Sequence, residues 1–184
     1  MELKNKIFVI QNLIRSENFS TAIVNCKKLL KKYPENSYTY NLCGLALQGE
    51  KRFSNSIEYF SKALHYDSEN LAAMNNLANS YKTLYYYDKA QDLYSKIIKK
   101  DPLNLKTLNN YANLKRTWND FDGAIDLYLK ATKINPEEIN ILFSLADSYQ
   151  SIGDFKKSRE VIDRILRIDP NKTSAHKLIS GFTN

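Results

Sequence analysis

Apolar residues in this chain recur at spacings of three and four, in runs broken at regular intervals by polar or proline-containing steps. Met74, Leu77, Ala78 and Tyr81 form one run, Leu108, Tyr111 and Ala112 a second, and Leu142, Leu145, Ala146 and Tyr149 a third. That spacing marks one buried face of a 3.6-residue helix. The runs themselves recur. An aromatic stands at Phe19, Phe53, Tyr87, Phe121 and Phe155, each 34 positions after the last. The same interval sets a small residue at Ala22, Ser56, Ala90, Ala124 and Ser158. It also sets a bulky or apolar one at Cys26, Phe60, Tyr94, Tyr128 and Ile162. A stop falls at Pro34, Ser68, Pro102, Pro136 and Pro170. The steps Asp101-Pro102, Asn135-Pro136 and Asp169-Pro170 end helices, because a residue before proline is pushed out of the helical region.

A period of 34 residues, built from two helical stretches and a proline-marked stop, resembles the tetratricopeptide repeat. The resemblance implies an all-α fold: a right-handed α-solenoid of antiparallel helix pairs, stacked so that neighbours share one core. The proline column divides the chain into repeats at 3–36, 37–70, 71–104, 105–138 and 139–172, one continuous domain with a helix A and a helix B in each repeat. Residues 173–184 begin another helix A and stop before any helix B. They form either a capping helix or a truncated sixth repeat, and we expect a fragment of a longer protein. Small residues at Gly44, Ala78, Ala112 and Ala146 let a neighbouring helix approach, and the aromatic column is expected to face the core. Two positions depart from the pattern. Ile10 stands where a small residue is expected, predicting looser packing or a different cap in the first repeat. Lys115 stands where other repeats place an aromatic or aliphatic, predicting a packed stem and a snorkelling amine.

Composition narrows the functional classes. No stretch approaches the roughly 18 consecutive apolar residues of a membrane span, and the start of the chain lacks a cleavable signal. A cytoplasmic protein with no membrane partner is expected. Cys26 and Cys43 fall in apolar columns without a CxxC pair and read as reduced core thiols, not metal ligands. The net charge is +7. Glu58, Asp92, Asp126 and Glu160 each precede a base by four residues (Lys62, Lys96, Lys130 and Arg164), the favourable helical pairing. Outer-face charge is therefore expected to be neutralised locally, which argues against a nucleic-acid partner. The cluster Lys27, Lys28, Lys31 and Lys32 is unbalanced.

Opposite the core face of helix A lie residues expected to line a concave groove: Asn41 in the second repeat, and Asn75, Asn76, Asn79 and Lys82 in the third. Lys106, Asn109, Asn110, Asn113 and Arg116 follow in the fourth. The fifth repeat changes to Asn140, Phe143, Ser144, Asp147 and Gln150. A carboxamide offers a donor and an acceptor, so repeated asparagines match the N–H and C=O groups of an extended peptide. The lysines and the arginine would favour an acidic one. The other reading is a copied, solvated surface in a chain with 20 asparagines. Against it, three asparagines per helix cost roughly 1–2 kcal/mol relative to alanine.

The run Thr107-Leu108-Asn109-Asn110-Tyr111-Ala112-Asn113-Leu114-Lys115-Arg116 resembles repeats of the O-linked N-acetylglucosamine transferase superhelix. That family binds peptide backbones through an asparagine ladder. The resemblance implies rungs at Asn76 and Asn110, with Leu42 and Ser144 in the equivalent places of the second and fifth repeats. The chaperone-tail carboxylate clamp is not matched, since Asn75 stands where its lysine would be. The chain is also similar in style to bacterial proteins whose repeats precede a sulfotransferase domain.

The expected function is thus a peptide-binding scaffold. The alternative is a non-catalytic, substrate-positioning arm of a larger sulfotransferase or glycosyltransferase. No catalytic constellation, cofactor motif or metal site is expected: His65 and His176 are isolated, and no glycine-rich phosphate loop is present. Trp118 is expected to pack at a repeat junction. Leu178, Ile179 and Phe182 would offer a surface for self-association.

Overall fold

The structure, a computed structural model, describes residues 2–180, with only the backbone described at His176, Leu178, Ile179 and Ser180. The self-association surface expected at Leu178, Ile179 and Phe182 lies outside what is described. Among the described residues there are eleven helices and no strand. They are α1 (Glu2–Arg15), α2 (Phe19–Lys32), α3 (Ser37–Gly49), α4 (Phe53–Tyr66), α5 (Leu71–Thr83), α6 (Tyr87–Lys100), α7 (Leu105–Thr117), α8 (Phe121–Ile134), α9 (Ile139–Ser151), α10 (Phe155–Ile168) and α11 (Thr173–Ser180). The fold class is the all-α solenoid of consecutively paired helices. None of these helices is long and apolar enough to cross a membrane.

Local sequence sets the helix ends. Asn36, Asn70 and Asn104 each cap a helix A, accepting the backbone N–H of Thr39, Ala73 and Thr107 at 2.8, 2.9 and 3.1 Å. Asp120 and Asp154 do the same for α8 and α10. A capping side chain of this kind satisfies one of the four orphan donors of a helix start and contributes about 1 kcal/mol. Several of the abundant asparagines are thereby accounted for. Every A-to-B turn bends through one left-handed residue, at Glu17, Lys51, Tyr85, Asn119 and Gly153, again at the 34-residue interval.

The chain falls into two compact units, residues 1–97 and 98–184. In the first, α2 packs on α1 and α3, and α4 packs on α3 and α5. The A helices also touch one another, α1 against α3 and α3 against α5. In the second, α8 lies between α7 and α9, α10 packs on α9 and α11, and α7 touches α9.

The small-residue column has a measurable cause. A Cβ on Gly44 would lie 2.4 Å from Cε1 of Phe60, so only glycine lets this fully buried ring sit against α3. Opposite Tyr94 and Tyr128 the corresponding residues are Ala78 and Ala112, all four fully buried. In the first repeat the sizes are exchanged: Ile10 is 1% exposed and shares its core with the small Cys26. Packing tolerates exchanges that conserve total volume, so the Ile10 departure is compensated across the helix pair. The neighbouring Cys43 thiol and burial push the Cys26 thiol above its ordinary range, and both cysteines are free and buried.

Two expectations are corrected, and a third gains a partner. The aromatic column is half-buried rather than in the core, and Phe155 is 57% exposed. These rings open each helix B, where only one side of the helix has a neighbour to cover it. Of the four outer-face pairs, among the described residues only Glu58–Lys62 closes, at 2.6 Å. Arg164 instead donates to the carbonyl of Pro136 in the preceding turn. Lys115 does snorkel, but to a fixed partner: its Nζ lies 2.9 Å from Asp120 and within 5.8 Å of the Tyr111 and Trp118 ring centres. Trp118 accordingly sits at the end of α7 as part of this cation site.

Candidate functional site

In the first unit the expected groove residues divide into two kinds. Asn41, Asn75 and Asn76 are buried, at 3–4% exposure. Asn76 Nδ2 donates to Asn41 Oδ1 at 2.9 Å, joining α5 to α3. Gln48 Nε2 reaches the same helix, donating to the Asn76 carbonyl at 2.9 Å and to Ser80 Oγ at 2.7 Å. Ser80 Oγ in turn lies 2.7 Å from Ser56 Oγ on α4. A buried polar group without a partner costs roughly 1–3 kcal/mol, so this satisfied seam holds α3, α4 and α5 in one register. Asn41 and Asn76 fasten the second repeat to the third.

Asn79 is half-buried, and its Oδ1 accepts the Tyr94 hydroxyl at 2.6 Å, tying α5 to α6. Burial raises that phenol above the ordinary tyrosine range. Lys82, one turn on, is also half-buried, and burial alone lowers its ammonium below the usual lysine value. A cation in that state gains from an anion that replaces the lost water.

The second unit repeats the tyrosine device: Tyr128 donates to Asn113 Oδ1 at 2.7 Å. The pairing follows the sequence columns. Where the helix A position holds asparagine (Asn79, Asn113), the facing helix B position holds tyrosine (Tyr94, Tyr128). Where it holds Leu45 or Asp147, that position is Phe60 or Ile162. This co-occurrence was the signal for a structural role, and it was readable before any coordinates.

Asn109, Asn110 and Asn113 are partly exposed and Lys106 is exposed on α7. Arg116 Nη2 donates to Asp147 Oδ2, bridging α7 and α9. Beside this ion pair a cavity of about 480 Å³ opens between α7, α9 and α11, lined by Arg116, Phe143, Ser144, Asp147, Ser174 and Lys177. It offers a guanidinium, an ammonium, a carboxylate, two hydroxyls and an aromatic wall within one concavity. Of these, Arg116 belongs to the expected groove set, and Phe143, Ser144 and Asp147 to its changed continuation in the fifth repeat. Ser174 and Lys177 come from α11, which no groove expectation included. Among the described residues no group of three or more His, Cys, Asp and Glu could hold a metal ion.

Comparison with known proteins agrees with this architecture. Residues 4–112 match the model of the Psidin N-terminal TPR repeats region, and residues 119–180 match a tetratricopeptide repeat model. The chain belongs to the tetratricopeptide repeat family, whose members are scaffolds for protein and peptide interaction. Similar solved structures include MamA from Desulfovibrio magneticus RS-1, with 15% identity, TM-score 0.81, and coverage of 93% of this chain and 97% of that one. PilF of Pseudomonas aeruginosa gives 16% identity, TM-score 0.84, and 94% and 79% coverage. YrrB, described as a TPR protein with an unusual peptide-binding site, gives 15% identity, TM-score 0.75, and 95% and 90% coverage. At such identities the likeness is one of fold. No curated protein matches the chain.

Proposed function

We propose that the chain holds an extended, acidic segment of a partner protein on its A-helix face, with the cavity beside Arg116 as the anchoring point. That cavity carries the reading. Its cations, Arg116 and Lys177, suit a carboxylate, its two serines suit peptide N–H and C=O groups, and Phe143 supplies an apolar wall. Asn109 and Asn110 lie on the same helix as Arg116 and offer amide donors and acceptors to successive peptide units. Asp147 acts as the resident anion: an incoming carboxylate competes with it for Arg116 and makes a charge-assisted, bidentate contact in its place. Because Asn41 and Asn76 already bond each other and Asn113 accepts from Tyr128, the ladder of peptide contacts falls on Asn109 and Asn110 rather than running through every repeat. The peptide-binding site in the description of YrrB supports a peptide as ligand for this fold.

The test is calorimetric titration with a library of acidic peptides and their amidated, charge-neutral counterparts. Binding of the acidic forms should weaken severalfold in Asn110→Ala and in Arg116→Gln. It should tighten in Asp147→Asn, which frees the guanidinium. Equal affinity across all three variants, or equal affinity for neutral peptides, would sink the proposal. The transferase-arm alternative rests on sequence style, and no described residue adds to it.

A further inference from the structure

The first repeat carries a surface that the groove does not use. Residues 2–32 contain seven basic and two acidic residues, so five of the chain's seven net positive charges lie in α1, α2 and their turn. Lys27, Lys28 and Lys31 are exposed, and among the described residues none is in an ion pair. Charge alone describes a solvated helix. Here, however, the same repeat exposes Phe8 (58%), Val9 (50%) and Val24 (50%), and Val24 lies one helical turn before Lys28. Exposed apolar side chains beside uncompensated charge mark an interaction site.

Val9 and Lys28 meet in a cleft. Between α1 and α2 a cavity of about 280 Å³ is lined by Val9, Ile10 and Leu29 and by Lys6, Lys28 and Lys32. Glu2 clasps it, with its carboxylate 2.8 Å from Lys32 and 2.7 Å from Lys6. Those two ammonium groups hold the Glu2 carboxyl down at about 2. The cleft therefore already binds one carboxylate, supplied by the chain itself, between two lysines.

We propose that this cleft is a second docking site, for an acidic amphipathic helix of a partner protein that inserts one apolar side chain between α1 and α2. The volume is just under the roughly 300–1,000 Å³ of small-molecule pockets and suits a single side chain. An anionic membrane would use the exposed valines and lysines but has no need of a cleft between two helices. Nucleic acid would use the lysines but leave Phe8, Val9 and Val24 idle. A helix with apolar anchors on one face and carboxylates on the other uses the cleft, Val9 and the lysines together, in the helix-in-groove mode. Charge complementarity selects the acidic partner. Glu2 then plays the part of an internal competitor that the partner's carboxylate displaces.

The probe is a synthetic amphipathic helix with leucine on one face and glutamate on the other, fluorescently labelled and followed by anisotropy against the full chain. Saturable binding is expected, with backbone amide shifts in an NMR spectrum confined to residues 2–32. Lys28→Glu and Val9→Asp should each weaken it by about tenfold, and both sites are exposed enough for the variants to fold. Glu2→Gln should tighten it by removing the competitor. Asn110→Ala and Arg116→Gln should leave it unchanged, which separates this site from the groove. Equal binding of a lysine-for-glutamate probe, absence of saturation, or amide shifts elsewhere would overturn the proposal. So would sedimentation with phosphatidylserine-containing vesicles that is lost in Lys28→Glu while the peptide fails to bind, since the ligand would then be a lipid surface.

Discussion

The bond between Tyr128 and Asn113 offers the sharpest test of how this repeat is built. Tyr128 is fully buried on α8, and its hydroxyl donates to Asn113 Oδ1 on α7 at 2.7 Å. Replacing Asn113 by leucine strands a buried hydroxyl, which costs roughly 1–3 kcal/mol. Arg116 and Ser144 also lie close enough to this phenol to bias its ionisation, so partial rescue should hold the cost to about 1–2 kcal/mol. Tyr128→Phe removes the other partner and should cost about 1 kcal/mol. The double variant restores an apolar pair, Leu with Phe, which this chain already uses at the equivalent Leu45 and Phe60. It should therefore cost much less than the sum, with a coupling of about 1–2 kcal/mol. Thermal unfolding of the four proteins measures it: for a chain of this length about 1 kcal/mol moves the midpoint by roughly 2–4 °C. Strictly additive costs would refute the reasoning and return Asn113 wholly to the groove.

Two further outcomes follow from the packing and the charges. Gly44→Ala should destabilise the protein by about 1–3 kcal/mol through overpacking, because its Cβ would meet the Phe60 ring at 2.4 Å. Combining it with Phe60→Leu should recover most of the loss in a denaturant melt, and a neutral Gly44→Ala would contradict the close approach. The Asp120 carboxyl is held below its ordinary value by Lys115 first and by the Gly123 N–H second. A carboxyl depressed in the folded state contributes stability above its unfolded value, near pH 3.9, and loses it as pH falls through the folded one. Thermal midpoints measured downward from pH 5 should therefore drop less steeply in Asp120→Asn, which still caps α8, than in the parent chain. Parallel curves would show that the Lys115–Asp120 contact adds nothing.

Repetition made much of this molecule legible in advance. A 34-residue period written in aromatic, small and proline columns demands paired helices, because each repeat can bury its apolar stripe only on the next. The helix caps at Asn36, Asn70 and Asn104 and the close approach at Gly44 are local or pairwise rules that a single chain states openly. Even the Asn79–Tyr94 and Asn113–Tyr128 bonds were written in the columns, as residues that change together.

The sequence alone could not say which polar residues of helix A face a ligand and which face the next repeat. Successive residues differ by 100° around a helix, so Asn75, Asn76 and Asn79 point in different directions. What each one meets depends on how far the neighbouring helix A is shifted and turned. Tertiary structure put Asn76 against Asn41 and out of solvent, bound Asn113 to Tyr128, and closed Arg116 onto Asp147. It also gathered Phe143, Ser174 and Lys177 from α9 and α11 into one cavity, and opened a clasped, lysine-lined cleft in the first repeat. The period determined that the helices stack. The offset between successive helices, a property of packed side-chain volumes, decided what that stacking leaves open.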